Sequence, residues 1–369
     1  MFSHYFPADR YIRRQNRQPA AHGFHLDESE AFAAGGKDQD GMAGKFFLMK
    51  HLTLLEPIRK EGNYQFFMQW FADAWTTSGG QTVKGISVPW NLRLLIAKSR
   101  VSRNFRLFTS SRRALLVPGA GYPDSFAWPF GYANEIVPML WDVWPRYWPR
   151  LISSLRRHHV QTLLCTSSQV CEYVAEKLPH IHAVHVPEGI DPAGYRDGGP
   201  LEGRRTDILQ IGRLMQPVHE AILQMRQSSP RLSYLYPEEP GRLVFPDFPS
   251  LCEGLASSKI VICYPRCRTH PEMAGDVETL TQRYWECMLS GTLIVGHAPK
   301  ELVDLLGYNP VIELETDEDI GSRLSQILDN ISSYQELADK NLAVARENAS
   351  WDTRMTRLLP QLRQLGYMQ

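Results

Sequence analysis

Short apolar runs alternate with amphipathic segments along the chain, and this alternation predicts its elements. "KFFLMKHLTLL" has strand length. "FFMQWFADAW" then places Phe66, Phe67, Trp70, Phe71, Ala74 and Trp75 on one helical stripe, and "SGGQTVKGISVP" reads as a helix stop followed by a strand. Together they form a βαβ unit. "RALLVPGAG" and "EIVPMLWD" are continuous apolar runs, the pattern of parallel strands buried on both faces. "PRLISSLRRHH", "VQTLLCTS", "SQVCEYVAEKL" and "IHAVHVP" continue as helix, strand, helix and strand. A second series opens at "TDILQIGRL". It runs through "HEAILQMRQ", "SLCEGLASS", "KIVICYP", "TQRYWECMLSG", "TLIVG" and "PVIEL" to helices near 318–347 and 351–366. The polar, glycine-rich "DGGPLEGR" at 197–204 separates the two series.

The pattern predicts an α/β chain with two tandem Rossmann-like domains, at 45–200 and 201–350. An irregular leader, 1–44, precedes them, and a helix within 351–369 is placed to pack back on the N-terminal domain. The length of 369 residues suits two such cores. Hydrophobic residues at 43% and charged residues at 22% allow both to be buried. No solenoid repeat is visible.

The net charge of zero hides an asymmetry. Residues 1–200 carry 23 Lys and Arg against 17 Asp and Glu, and the remainder carry 17 against 23. A basic half fits an anionic partner such as a phosphate-bearing acceptor, a lipid surface or nucleic acid; two domains that attract each other explain it equally well. Arg93, Lys98, Arg100, Arg103, Arg106, Arg112 and Arg113 contribute to this face. The six cysteines form no CxxC pair, which argues against a zinc site, and no run is apolar over 18 residues. With no signal layout at the N-terminus, a cytoplasmic protein is expected, with peripheral membrane contact through "YWPRLISSLRRHH" as a further role.

Ligands of open parallel sheets bind at the carboxyl ends of the strands, so the strand–turn–helix junctions hold the candidate residues. Gly62 in "EPIRKEGNYQ" lets backbone approach a phosphate or sugar, or serves as a plain turn glycine. Asp142 ends an apolar run among Trp141, Trp144 and Trp148, a carboxylate beside aromatic faces that suits a sugar, although tryptophans at that spacing more often serve packing. Gly212 ends the first strand of the second series, and Arg213 follows it, placed to grip a diphosphate; His219 lies six residues on. In "DVETLTQRYWECMLSGTLIVG", Glu278 lies in a loop and Glu286 inside the helix that follows, with Thr281 and Gln282 at the helix entrance. Elsewhere, "HIHAVH" and the "DQD" of Asp38–Asp40 lack the partners or context of a metal site, and P-loop, HExxH and GxSxG motifs are absent.

"VHVPEGIDPAGYR", "TDILQIGRL", "DVETLTQRYWECMLSGTLIVG" and "PVIELETDEDIGSRLSQIL" resemble, in that order, the C-terminal half of GT-B glycosyltransferases of the family 4 (group 1) type. The match covers about residues 135–350. The resemblance implies two Rossmann-like domains facing a cleft, with an N-terminal acceptor domain and a C-terminal domain for the donor. It implies retaining, metal-independent transfer of a hexose-type sugar from a UDP- or GDP-sugar to a carbohydrate, lipid-linked or small-molecule acceptor. No cofactor beyond the nucleotide-sugar co-substrate and no nucleic acid are implied. Carried over, Glu286 holds the donor ribose, Glu278 the sugar hydroxyls and Arg213 the leaving diphosphate, aided by N–H groups near Thr281 and Gln282.

The chain departs from the family in three places. Met215-Gln216-Pro217-Val218-His219 stands where a lysine is usual, so its role passes to His219 or Arg283. "TLTQRYW" replaces a glycine-rich stretch between the glutamates, and Trp141-Asp142 replaces a frequent histidine. An epimerase or phosphorylase on the same fold, and a non-catalytic nucleotide-sugar-binding protein, are the alternative readings.

Overall fold

The computed structural model describes residues 50–57, 67–85, 91, 113–123, 134–239, 242–317 and 319–367. The leader, Gly62 and the basic positions Arg93, Lys98, Arg100, Arg103, Arg106 and Arg112 lie outside them.

The first series forms β1 (His51–Leu55), α1 (Phe67–Thr77), β2 (Gln81–Val83), β3 (Arg113–Ala120), β4 (Glu135–Trp141), α2 (Trp148–Arg157), β5 (Thr162–Cys165), α3 (Ser168–Lys177) and β6 (His182–His185). The strands pair in parallel in the order β2-β1-β3-β4-β5-β6. Successive residues of a strand serve opposite faces. Val137, Met139 and Trp141 of β4 join Phe71 and Trp75 of α1, while Leu140 joins Leu151 and Leu155 of α2 and Val170 and Val174 of α3. Burial on both faces is why these runs read as continuously apolar.

The second series forms β7 (Thr206–Leu209), α4 (Gln216–Ser228), β8 (Tyr234–Leu235), α5 (Phe248–Ala256), β9 (Ser258–Cys263), α6 (Arg266–Thr269), α7 (Pro271–Ala274), α8 (Gln282–Leu289), β10 (Leu293–Gly296), α9 (Lys300–Leu306) and β11 (Ile312–Glu313). Three helices follow: α10 (Ile320–Asp329), α11 (Gln335–Asn348) and α12 (Trp351–Gln364). The parallel order β11-β10-β9-β7-β8 reverses direction between β7 and β9. At that switch point the connections leave toward opposite faces and open a crevice at the strand ends. The hydrophobic pattern does not announce β8, α6, α7 or α9, which lie where proline and charged residues interrupt the apolar run.

The chain crosses between the domains twice. Ile190 N–H donates to the Ala349 carbonyl at 2.8 Å, and Trp351 N–H donates to the Ile190 carbonyl at 3.3 Å. After the second crossing, Ser350 caps α12 by accepting from Thr353 N–H at 3.1 Å. The helix then lies on the first sheet, where Trp351, Met355, Leu358, Leu362 and Tyr367 share a core with Leu52, Leu54 and Leu116. Tyr367 anchors the end through hydrogen bonding to Thr162 Oγ1 at 3.0 Å.

In α2 the core consumes the apolar residues: Leu151, Ile152 and Leu155 are buried, and Trp148 stacks on Tyr173 at 4.2 Å. Arg150 and Arg156 remain outside. Among the described residues, no helix is long and apolar enough to cross a membrane.

Leu362 is fully buried between α12 and the first sheet. Leu362→Ala is expected to cost about 2–5 kcal/mol of stability. Denaturant unfolding followed by tryptophan fluorescence checks this; an unchanged midpoint would mean that α12 adds nothing to the N-terminal core.

Candidate active site

The loops after β7 and β9 meet at the switch point. Gly212 follows β7 with φ 86°, a left-handed conformation that glycine adopts without a steric penalty, and it turns the chain into Arg213. Arg266 opens α6 two residues after Tyr264, just beyond β9. Arg213 Nε donates to Thr269 Oγ1 at 3.3 Å, and the Arg266 guanidinium lies over the Trp144 ring, 4.9 Å from its centroid. Trp144 belongs to the N-terminal domain, so Arg266 spans the crevice. Trp144 also packs with Cys267, Ala274 and Val277, which seals the loop carrying Arg266 against the first domain.

Asp142 faces these arginines from the end of β4. Its φ of 52° is unusual for a residue with a side chain and costs roughly 1–2 kcal/mol. Burial pushes its carboxyl pKa up, against the pull of Arg266 and Arg213. Burial, reinforced by Arg266, brings Arg213 down to about 10, with Asp142 opposing. Burial, Arg213 and Arg266 together lower the pKa of His270. One carboxylate and two guanidinium groups thus act on one another electrostatically across a desolvated crevice, a centre suited to an anion.

His219 is not part of this centre. It is buried on α4, with its ring 4.8 Å from that of Tyr236 and its Nδ1 2.8 Å from Tyr234 Oη. The Tyr234 hydroxyl donates to Gln210 Oε1 at 2.8 Å, so Nδ1–H donates to the tyrosine oxygen. The cation that acts most strongly on Arg213 is Arg266. Sequence reasoning missed it, although "KIVICYPR" carries the same signal as "ILQIGR": an apolar strand followed within a few residues by an arginine.

Helix α8 begins beside this centre. Thr281, its N-cap, makes no side-chain cap bond. Gln282 Nε2 is buried and meets no acceptor among the described residues. Inside the helix Glu286 pairs with Arg283 and accepts from the Tyr195 hydroxyl at 3.3 Å, while Tyr284, Trp285, Met288 and Leu289 fill the core.

Glu278 has different neighbours from Glu286. Its Oε1 lies 3.1 Å from His297 Nε2, and its Oε2 accepts from Lys300 N–H at 3.1 Å. His297 Nδ1 lies 3.0 Å from Glu313 Oε2, and the hydrogen bond to Glu313 leads the forces that raise the imidazole pKa. His297, Glu313 and Glu315 lie close enough to share a cation. Both ring nitrogens of His297 already face carboxylates, Nε2 that of Glu278 and Nδ1 that of Glu313. Gly296, at φ 145°, makes the approach possible: a Cβ there would stand 2.0 Å from the Cys263 carbonyl oxygen. The two glutamates of the motif are thus oriented separately, one by α9 and β11, the other within α8.

A buried junction lies behind the site. Trp285 Nε1 donates to the Glu188 carbonyl at 2.9 Å, and Trp141 Nε1 donates to Glu188 Oε1 at 3.2 Å. Arg354 Nε donates to the Pro187 carbonyl at 3.2 Å. Burial raises the Glu188 carboxyl well above its ordinary value, against the hydrogen bond from Trp141.

No protein-family model matches the chain, and no curated protein matches it in sequence. Solved structures match it in fold. Sucrose-phosphate synthase from Thermosynechococcus elongatus gives a TM-score of 0.56 at 10% identity, over 86% of this chain and 99% of that one. The α,α-trehalose-phosphate synthase (UDP-forming) from Burkholderia vietnamiensis gives 0.54 at 11% identity, over 86% and 100%. HepE from Anabaena, in complex with UDP and glucose, gives 0.52 at 11% identity, over 86% and 100%. The chain has the fold of these GT-B glycosyltransferases: two parallel α/β sheets whose strand ends face a common cleft.

Proposed function

We propose that the chain is a glycosyltransferase that moves a hexose-type sugar from a nucleotide-sugar donor to an acceptor hydroxyl. The convergence of Arg213 and Arg266 at the switch point, beside the first turn of α8, carries this reading. Departure of a nucleoside diphosphate builds negative charge at its phosphates and positive charge on the sugar ring. Fixed guanidinium groups and helix N–H groups in a desolvated crevice stabilise the first without reorganising. Two arginines and a helix terminus supply the neutralisation that a divalent ion gives elsewhere, so transfer is proposed to be metal-independent.

Glu286 accepts the ribose hydroxyls, with Arg283 and Tyr195 orienting it. Glu278, held by His297 and the Lys300 N–H, keeps free lone pairs for the sugar hydroxyls. Asp142 faces the reacting centre from the acceptor side. A front-face attack in which the leaving phosphate takes the acceptor's proton needs no further protein base and retains the anomeric configuration. Acceptors with phosphate or lipid-linked character suit the basic N-terminal half, and any membrane contact would act through charge.

Calorimetry and thermal shift with a panel of nucleoside diphosphates, in the presence of a chelator, test the donor. UDP heads the panel because HepE carries it. One nucleotide is expected to bind, with Arg213→Ala weakening it about 10- to 150-fold and Glu286→Ala by a similar factor, the loss of one or two charge-assisted hydrogen bonds. Failure of every nucleotide would overturn the reading. Product analysis with donor and a mixed acceptor pool is expected to give a glycoside of unchanged anomeric configuration. A changed sugar formed without acceptor would point to epimerisation instead, and binding without any turnover to a non-catalytic protein.

A further inference from the structure

The segment that carries Glu278 is held from both domains at once. Gln169, on α3, clamps its backbone: Glu278 N–H donates to Gln169 Oε1 at 2.8 Å, and Gln169 Nε2 donates to the Asp276 carbonyl at 3.1 Å. Thr279 Oγ1 donates to the Thr166 carbonyl at 3.3 Å. Between these contacts lies Glu301, on the first turn of α9. Its Oε1 accepts from Ser168 N–H at 2.6 Å and from the Ser168 hydroxyl at 2.8 Å, and its Oε2 accepts from Leu280 N–H at 2.8 Å.

Glu301 is 7% exposed, and a buried carboxylate is costly unless its oxygens find donors. The donors here come from two places that the chain does not join locally. Ser168 lies in the first turn of α3, where free N–H groups and the helix dipole favour a negative charge. Ser167, the N-cap of that helix, makes no side-chain cap bond, so a carboxylate from the other domain takes the capping role. Leu280 lies two residues after Glu278, on the way into α8. His185 Nε2, 3.9 Å from Oε1, adds little charge because burial lowers its pKa.

We propose that Glu301 is the tie that couples closure of the two domains to the placing of Glu278, which makes it a positioning residue for the donor sugar. The proposal rests on the donor reading above. The bonds from Ser168 to Oε1 and from Gln169 to the Glu278 backbone both cross the cleft, so opening releases them together. Closing restores both, and one carboxylate then holds the N-terminal domain and the approach to α8 in a single geometry. The nucleotide's side-chain contacts, at Arg213 and Glu286, do not involve Glu301, which on that side of the cleft holds only the backbone entering α8. Nucleotide binding and sugar transfer are therefore separable in variants of the tie.

Two variants of the full chain test this, Glu301→Gln and Gln169→Ala. Glu301→Gln replaces one acceptor oxygen by an amide that cannot accept from both Ser168 and Leu280. In small-angle X-ray scattering without ligand, Glu301→Gln is expected to show a larger radius of gyration than the wild type. In steady-state kinetics its kcat is expected to fall about tenfold or more, and that of Gln169→Ala about three- to tenfold, while nucleoside diphosphate affinity stays within about twofold. An unchanged scattering profile or an unchanged kcat in Glu301→Gln would overturn the proposal. So would loss of nucleotide affinity in step with kcat in both variants, the mark of a merely structural role. If the wild type binds no nucleoside diphosphate, the donor reading fails first, and the scattering comparison alone decides whether Glu301 ties the domains.

Discussion

Parallel pairing is the constraint from which the rest of this structure follows. A parallel sheet needs a crossover after every strand, and its crossover helices cover both faces. All carboxyl ends then lie along one edge, and the segments that leave it carry Asp142, Arg213 and Arg266. Two such sheets, with their strand ends facing one cleft, bring Asp142 opposite Arg213 and Arg266. The reversal of strand order between β7 and β9 opens the crevice in which the two arginines meet.

Desolvation gives that crevice its character. Burial disfavours the charge of Arg213, and the nearby Arg266 adds to this, as the lowered pKa of Arg213 records. Asp142 relieves part of this, yet burial raises its own pKa. An anion with several oxygens would complement the two guanidinium groups. The buried Gln282 amide points the same way, since buried polar groups are normally paired.

The two domains are not simply strung together. The return of the chain through Ala349–Trp351 places α12 in the N-terminal core, so the last helix in sequence supports the first strands. At the cleft itself, Glu301, Gln169 and the Trp144–Arg266 contact link the domains through polar and aromatic groups. Such contacts are easier to break and remake than a continuous apolar interface, and they suit a cleft that admits ligands.

Much of the fold was legible in the residues. Alternating apolar runs of strand and helix length sufficed for two parallel α/β units, because burial on both faces leaves a signal in every strand. β8 and α9 were not legible, because proline and charged residues interrupt their short apolar runs. In the site, the places of Gly212, Arg213, Glu278 and Glu286 along their elements follow from local pattern; their partners do not. His219 looked like a crevice residue, but its ring turns to Tyr234 and Tyr236, because a helix pattern does not reveal what lies over each turn. Arg266, His297 and Glu301 gain their significance only from neighbours distant in the chain. The sequence by itself determined the elements and the chemistry available at each strand end, since backbone geometry and burial act over a few residues. Which of those groups face one another was decided by strand order and domain apposition, which depend on packing across the whole chain.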